Sequence, residues 1–193
     1  MESLEKIREE VLKCKKCNLW KTRKNPVFGE GNEHAKIFFC GEAPGYHESM
    51  TGKPFCGAAG KILDKLLDSI GLKRKEIYIT NIVKLRPPNN RNPTQEEIKA
   101  CSPYLDRQIE IIKPKIICCL GNFATAYIMK KFGLKDKVQG ISKIHRKVFL
   151  VSTLFGPVKI IPLYHPAVAT YNANMFKIIK KDFEILKKEE WKG

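Results

Sequence analysis

The sequence has no apolar run long enough to cross a bilayer. Its longest runs, such as Ile116 to Leu120, fall far short of the roughly 20 residues that a spanning helix needs. It also lacks an apolar leader: the first residues, MESLEKIREE, are acidic and helix-forming. Both absences point to a cytoplasmic protein. No internal repeat or low-complexity segment breaks the chain, so 193 residues read as a single domain over 1–193. A disulfide framework is excluded as well, because seven cysteines is an odd number and nothing marks the chain for secretion. Acid is scarce, with 20 Asp and Glu against 36 Lys and Arg and a net charge of +16. Such a surplus suits a polyanion, since bound cations release counterions from phosphates. The competing explanation is a solvated, lysine-rich surface, as in heat-stable proteins, and the glutamine-poor composition also fits a thermophile. No basic helix with an aromatic apolar face stands out, which argues against a membrane-surface protein.

Four short β-branched or aromatic runs read as buried strands: Ile37 to Cys40, Ile77 to Val83, Ile116 to Leu120 and Val158 to Tyr164. Val148 to Phe155 reads as an extra strand leading into the last of them. Helical patterns alternate with these runs. Leu4, Ile7, Val11 and Cys14 share one face behind Ser3 as N-cap. Ile62, Leu63, Leu66, Leu67 and Ile70 form a second stripe, stopped by Gly71. Thr94 to Glu97, TQEE, is a capping box that opens a helix towards Ile112. A further helix runs from Ala124 to Phe132, and Asn174 caps a last one carrying Phe176, Ile179, Phe183 and Leu186. The alternation predicts an α/β fold with a mainly parallel sheet. Ligands of such sheets sit at the carboxyl ends of the strands. That rule singles out GEAPG after the first strand, Asn81 in the second, LGN after the third and HPA after the fourth.

Each of these residues has an ordinary explanation beside a chemical one. Glu42 could activate a water or merely cap a turn. His165, held extended by Pro166, could donate to developing negative charge or be a structural imidazole. Asn81 needs partners in an apolar strand, because burying an unpaired amide costs about 1–3 kcal/mol. Phe55 could stack on a planar ligand or belong to the core. KLRPPNNRNP sets Lys84, Arg86 and Arg91 in a proline-stiffened loop that suits phosphates or simply faces water.

GEAPG, GKPFCGAAGKILD, TNIVKLRPPNNRNPTQEEIKAC and HPAV, in that order, resemble the family 4 uracil-DNA glycosylases, the iron–sulfur branch of their superfamily. The likeness runs from about Cys14 to the end of the chain. It implies a three-layer α/β/α sandwich with a central, mainly parallel four-stranded sheet. It also implies a monomeric, monofunctional DNA repair enzyme that flips uracil out of single- or double-stranded DNA and leaves an abasic site. By motif, Glu42 positions the attacking water and His165 donates to uracil O2. Phe55 stacks on the base, Asn81 bonds O4 and N3–H, and Glu48 crowds C5 against thymine. The Gly41, Ala43 and Gly45 backbone lines the pocket. Beyond these roles, Lys84, Arg86, Arg91, Asn122 and Thr125 are candidate phosphate contacts, and Tyr171 is either a wedge near the flipped nucleotide or a loop tyrosine without contact. An idle DNA-binding or polymerase-associated module on the same fold is the alternative.

The resemblance also implies a [4Fe–4S] cluster on four cysteines that ties residues 1–30 to the rest of the domain. Cys14, Cys17 and Cys101 match, but the remaining position is Leu85, which cannot ligate iron. A cluster on three cysteines with an outside ligand, a three-iron form, and an empty or zinc-filled site all stay open, the first being preferred. Cys40, Cys118 and Cys119 read as strand packing, and Cys56 as pocket wall.

Overall fold

The computed structural model describes residues 2–188. The predicted runs form the centre of one six-stranded sheet: β2 (Ile37–Gly41), β3 (Tyr78–Asn81), β4 (Ile116–Leu120) and β6 (Gly156–Leu163). These four are parallel, in the order β3-β2-β4-β6. The sheet is wider than the expected four strands, because an antiparallel strand closes each edge. One is the expected β5 (Phe149–Thr153), hairpinned onto β6. The other is β1 (Glu30–Gly31), two residues pairing with β3. The order reverses direction at β2, which puts the topological switch point between the ends of β2 and β4.

Helices cover both faces. α1 (Leu4–Lys13), α4 (Gln95–Ile112) and α5 (Gly121–Lys131) bury one apolar cluster around Phe38, Ile117 and Ile160. α3 (Ala58–Ser69) and α8 (Ala173–Phe183) bury a second around Phe39, Cys118 and Ile161. Shorter helices, α2 (Tyr46–Thr51), α6 (Ile141–Ile144), α7 (Val168–Tyr171) and α9 (Ile185–Lys188), fill the connections. The result is the expected α/β/α sandwich. Cys40, Cys118 and Cys119 are fully buried in it, and burial pushes the Cys40 thiol up to about 12, so they are packing groups as read.

The local signals behave as written. Ser3 caps α1, accepting from the Lys6 amide. Thr94 and Glu97 form the reciprocal box at the start of α4. Gly71 stops the α3 turn at φ +71. β3 keeps only Tyr78–Asn81 of the expected Ile77 to Val83, and three helix boundaries move. α5 begins at Gly121, three residues early, because Gly121 takes φ +88 and turns the chain directly from strand to helix. The cap of α8 is Asn172, whose Oδ1 accepts from the Asn174 amide, so Asn174 is the capped residue and not the cap. Leu186 lies beyond a break, in α9. The N-terminal segment is tied down by apolar burial of Leu4, Ile7 and Val11 and by Arg107 of α4, which bonds Glu10 at 2.5 and 2.8 Å. Its attachment therefore does not depend on a cluster alone.

Candidate active site

The strand ends converge on a cavity of about 320 Å³ at the switch point. Glu42, Ala43, Pro44 and Gly45 line it from β2, Asn81 from β3, and His165 from β6. Glu48, Phe55, Pro87, Asn90 and Arg91 are among its other walls.

Glu42 directly follows β2. Its carboxylate is half-buried and has no hydrogen bond or ion pair within the described residues, and burial raises its pKa above the usual carboxylate value. His165 follows β6. Its Nδ1 accepts from the Ala167 amide at 3.2 Å, which assigns the ring proton to Nε2. Burial pulls its pKa down to about 4, so the ring is neutral at physiological pH, against the opposing pull of Glu48. Asn81 ends β3 at 2% exposure, and its Oδ1 is buried without a partner.

Phe55 sits at φ +48, a left-handed conformation rare for an aromatic residue. Its ring faces His165 at 5.6 Å between centroids. Two glycines make room for it. A Cβ on Gly41 would lie 2.6 Å from the ring and 2.4 Å from Asn81 Oδ1, and one on Gly60 would strike the Phe55 carbonyl. Gly41 thus lies behind the wall instead of in it. Glu48 Oε1 accepts from the Cys56 and Gly57 amides at 2.9 and 2.8 Å, which fixes this side of the cavity. Cys56 serves through that amide, and the cavity wall does not include its side chain.

Sequence reasoning missed Arg74. Its guanidinium donates to the carbonyls of Pro54 and Phe55, to Asp64 of α3 and to Glu30 of β1. The strained loop is clamped there from behind. Carbonyl acceptors leave no sequence signal, which is why no motif points to this residue.

The expected phosphate contacts divide. Lys84 is a correction: it is 1% exposed, and its ammonium donates to Thr80 Oγ1, the Asn81 carbonyl and Gln108 Oε1, each at 2.7 Å. Burial pulls it down to about 8, and it braces the end of β3 instead of reaching outward. Thr125 is a second correction, because it is buried inside α5. Arg91 lines the cavity, but its guanidinium makes a two-pronged pair with Glu97 at 2.6 and 2.8 Å. Asn122 is exposed, with Oδ1 taken by the Ile141 amide. Arg86 is half-exposed beside Pro87, and Tyr171 is 93% exposed at the end of α7, outside the cavity wall.

Residues 28–187 match the family model for the uracil DNA glycosylase superfamily. The chain belongs to that superfamily. It is 52% identical over 185 residues to a type-4 uracil-DNA glycosylase of Sulfurisphaera tokodaii, covering 95% of this chain and 83% of that one. A type-4 enzyme of Saccharolobus solfataricus is 50% identical, covering 97% and 86%. One of Archaeoglobus fulgidus is 48% identical, covering 95% and 92%.

The cysteines give a mixed answer. Cys14 and Cys17 pack against the apolar cluster that contains Cys101 and Tyr104. Leu85, 3% exposed, packs in the same apolar cluster as Cys101 and Tyr104. Among the described residues no three His, Cys, Asp or Glu side chains are grouped to hold one metal ion. Three ungrouped cysteines and an apolar Leu85 do not fit a group that requires four protein thiolates.

Proposed function

We propose that this protein hydrolyses the N-glycosidic bond of uracil in single- and double-stranded DNA, releasing the base and leaving an abasic site. One observation carries the reading. An unpartnered carboxylate, a neutral Nε2–H imidazole, an orphaned amide oxygen and an aromatic face meet in one cavity of about 320 Å³.

Each group matches a demand of the reaction. The flipped base lies against Phe55. Asn81 Oδ1 accepts from uracil N3–H, and its amide nitrogen donates to O4. Cytosine presents the reverse pattern and is rejected. The empty acceptor costs free enzyme about 1–3 kcal/mol, which the correct base restores. Glu48 walls the C5 side, where a methyl group has no room. As the bond breaks, the base becomes anionic and the sugar cationic. His165 Nε2–H donates to O2, an interaction typically worth about 3 kcal/mol. The neutral imidazole stabilises the anion by donating this hydrogen bond and keeps its own proton. Glu42 faces the opposite charge and orients a water towards C1′. Extruding the base costs a few kcal/mol, least where uracil is mispaired. Half-exposed Arg86 and exposed Asn122 hold the phosphate backbone and Tyr171 wedges near the flipped nucleotide, with the protein acting as a monomer.

Cys14, Cys17 and Cys101 are proposed to hold an iron–sulfur cluster with one outside ligand, as a structural element away from the cavity. No chemical step passes through it.

The test is direct. Oligonucleotides with one deoxyuridine, single- or double-stranded, are incubated with protein and then cleaved at abasic sites by alkali. Wild type is expected to cut both, and Glu42→Ala and His165→Ala to lose most activity. Folded wild-type protein that leaves both substrates intact would overturn the reading.

A further inference from the structure

A second cavity of about 190 Å³ opens beside the first, and Pro87 is a wall of both. Three cations line it, Arg23, Lys24 and Arg86, and no carboxylate does. That separates it from the hollow near Cys17, where Glu96 and Glu97 stand among Lys15, Lys16 and Arg91. Tyr46 completes the lining. Its ring is 53% exposed, with the Arg86 guanidinium 5.3 Å from the centroid. An exposed aromatic ring backed by a cation is a stacking platform for a nucleobase.

The groove is built from segments distant in sequence and is held firmly. Asn25 bonds the Ser49 carbonyl through its amide N–H at 3.0 Å and through Nδ2 at 3.1 Å, and Nδ2 also reaches the Met50 carbonyl at 2.9 Å. Arg23 spends Nη1 on the Cys14 carbonyl at 2.9 Å, and Arg86 spends Nε on Asn90 Oδ1 at 2.7 Å. Both guanidinium groups are thus oriented while keeping further N–H donors. Lys24 is exposed, and no acid pairs with it within the described residues.

We propose that this groove binds the nucleotide adjacent to the flipped uridine on the same strand, its base on Tyr46 and the successive phosphates of that stretch of strand on Arg23, Lys24 and Arg86. The proposal rests on the uracil-excision reading of the neighbouring cavity. A strand whose uridine enters the first cavity must pass the Pro87 wall. The surface it meets there is cationic and aromatic, the combination that gives sequence-tolerant grip. It also gives the segment after the CxxC pair a task, because that segment delivers Arg23 and Lys24.

The test uses single-stranded oligonucleotides with one deoxyuridine, keeping zero, one or two nucleotides on its 5′ or 3′ side. For wild type, restoring one nucleotide on one side is expected to lower KM about tenfold. Lys24→Ala and Tyr46→Ala should lose most of that gain, Tyr46→Phe should keep it, and inhibition by free uracil should stay within twofold of wild type. Equal gains in wild type and both alanine variants would overturn the groove. Anisotropy with uracil-free single strands separates the two proposals. If wild type excises nothing, weaker binding by Lys24→Ala and Tyr46→Ala still supports the groove, and unchanged binding removes it.

Discussion

Glu42 has no partner for its carboxylate, and burial raises its pKa. The folded state therefore holds that proton more tightly than the unfolded chain does. Stability falls as pH rises through the interval between the two pKa values, and above it the full penalty persists. Glu42→Gln removes the charge and keeps the shape. It is expected to raise Tm at pH 7 by roughly 1–3 °C while lowering kcat by about a hundredfold or more. A variant both less stable and less active would mean that the carboxylate has a structural partner. The same groups fix the pH profile. Glu42 must be ionised, so activity falls as pH drops through its raised pKa. His165 titrates only at about 4, so kcat/KM, which follows the free enzyme, should show no inflection near pH 6.5. Arg74 acts one layer back, through the Pro54 and Phe55 carbonyls. Arg74→Ala should lower kcat/KM about tenfold in wild type but less than twofold in a Phe55→Ala background, because coupled residues fail to add. Equal losses in both backgrounds would reduce Arg74 to a general stabiliser.

At the scale of elements, the segment between β3 and α4 joins two functions. Its start, Asn81 to Leu85, runs from the unpartnered Asn81 amide oxygen in the cavity to the apolar cluster around Cys101, with Lys84 bracing the Asn81 carbonyl. Restoring a thiol there by Leu85→Cys should raise bound iron in anaerobically purified protein and raise Tm. If neither rises, the three-cysteine site is either complete already or never used. The elements themselves were largely readable. Buried strands such as Ile116–Leu120 announce themselves by apolar runs, and the TQEE box by its spacing. Glu30–Gly31 carries no pattern, because a two-residue edge strand is defined by its partner, β3. Site residues after strand ends were legible through the parallel-sheet rule. What the sequence concealed was direction. Lys84 and Arg86 stand two residues apart in one loop, yet one is buried under three acceptors and the other faces solvent, a difference set by Gln108 on a helix far along the chain.

For the whole molecule, the net charge of +16 invites the idea that every cation grips DNA. The arrangement argues otherwise. Arg74 and Arg107 are committed to acids, Arg91 to Glu97, and Lys84 to the interior. The cations facing the groove are Arg23, Lys24 and Arg86. Long-range charge raises the rate of encounter, but the salt dependence of equilibrium binding counts phosphates actually neutralised. About three contacts on a single strand predict a slope of log K against log salt near −2, at roughly −0.7 per phosphate. Counting the entire net charge would predict about −11 on the same rule. Anisotropy titrations of a short uracil-free strand between low and moderate salt should give the shallow value, and Lys24→Ala should make it shallower by about 0.7. A slope steeper than about −5 would mean that the strand is held by a far larger share of the lysine surface than these two cavities present.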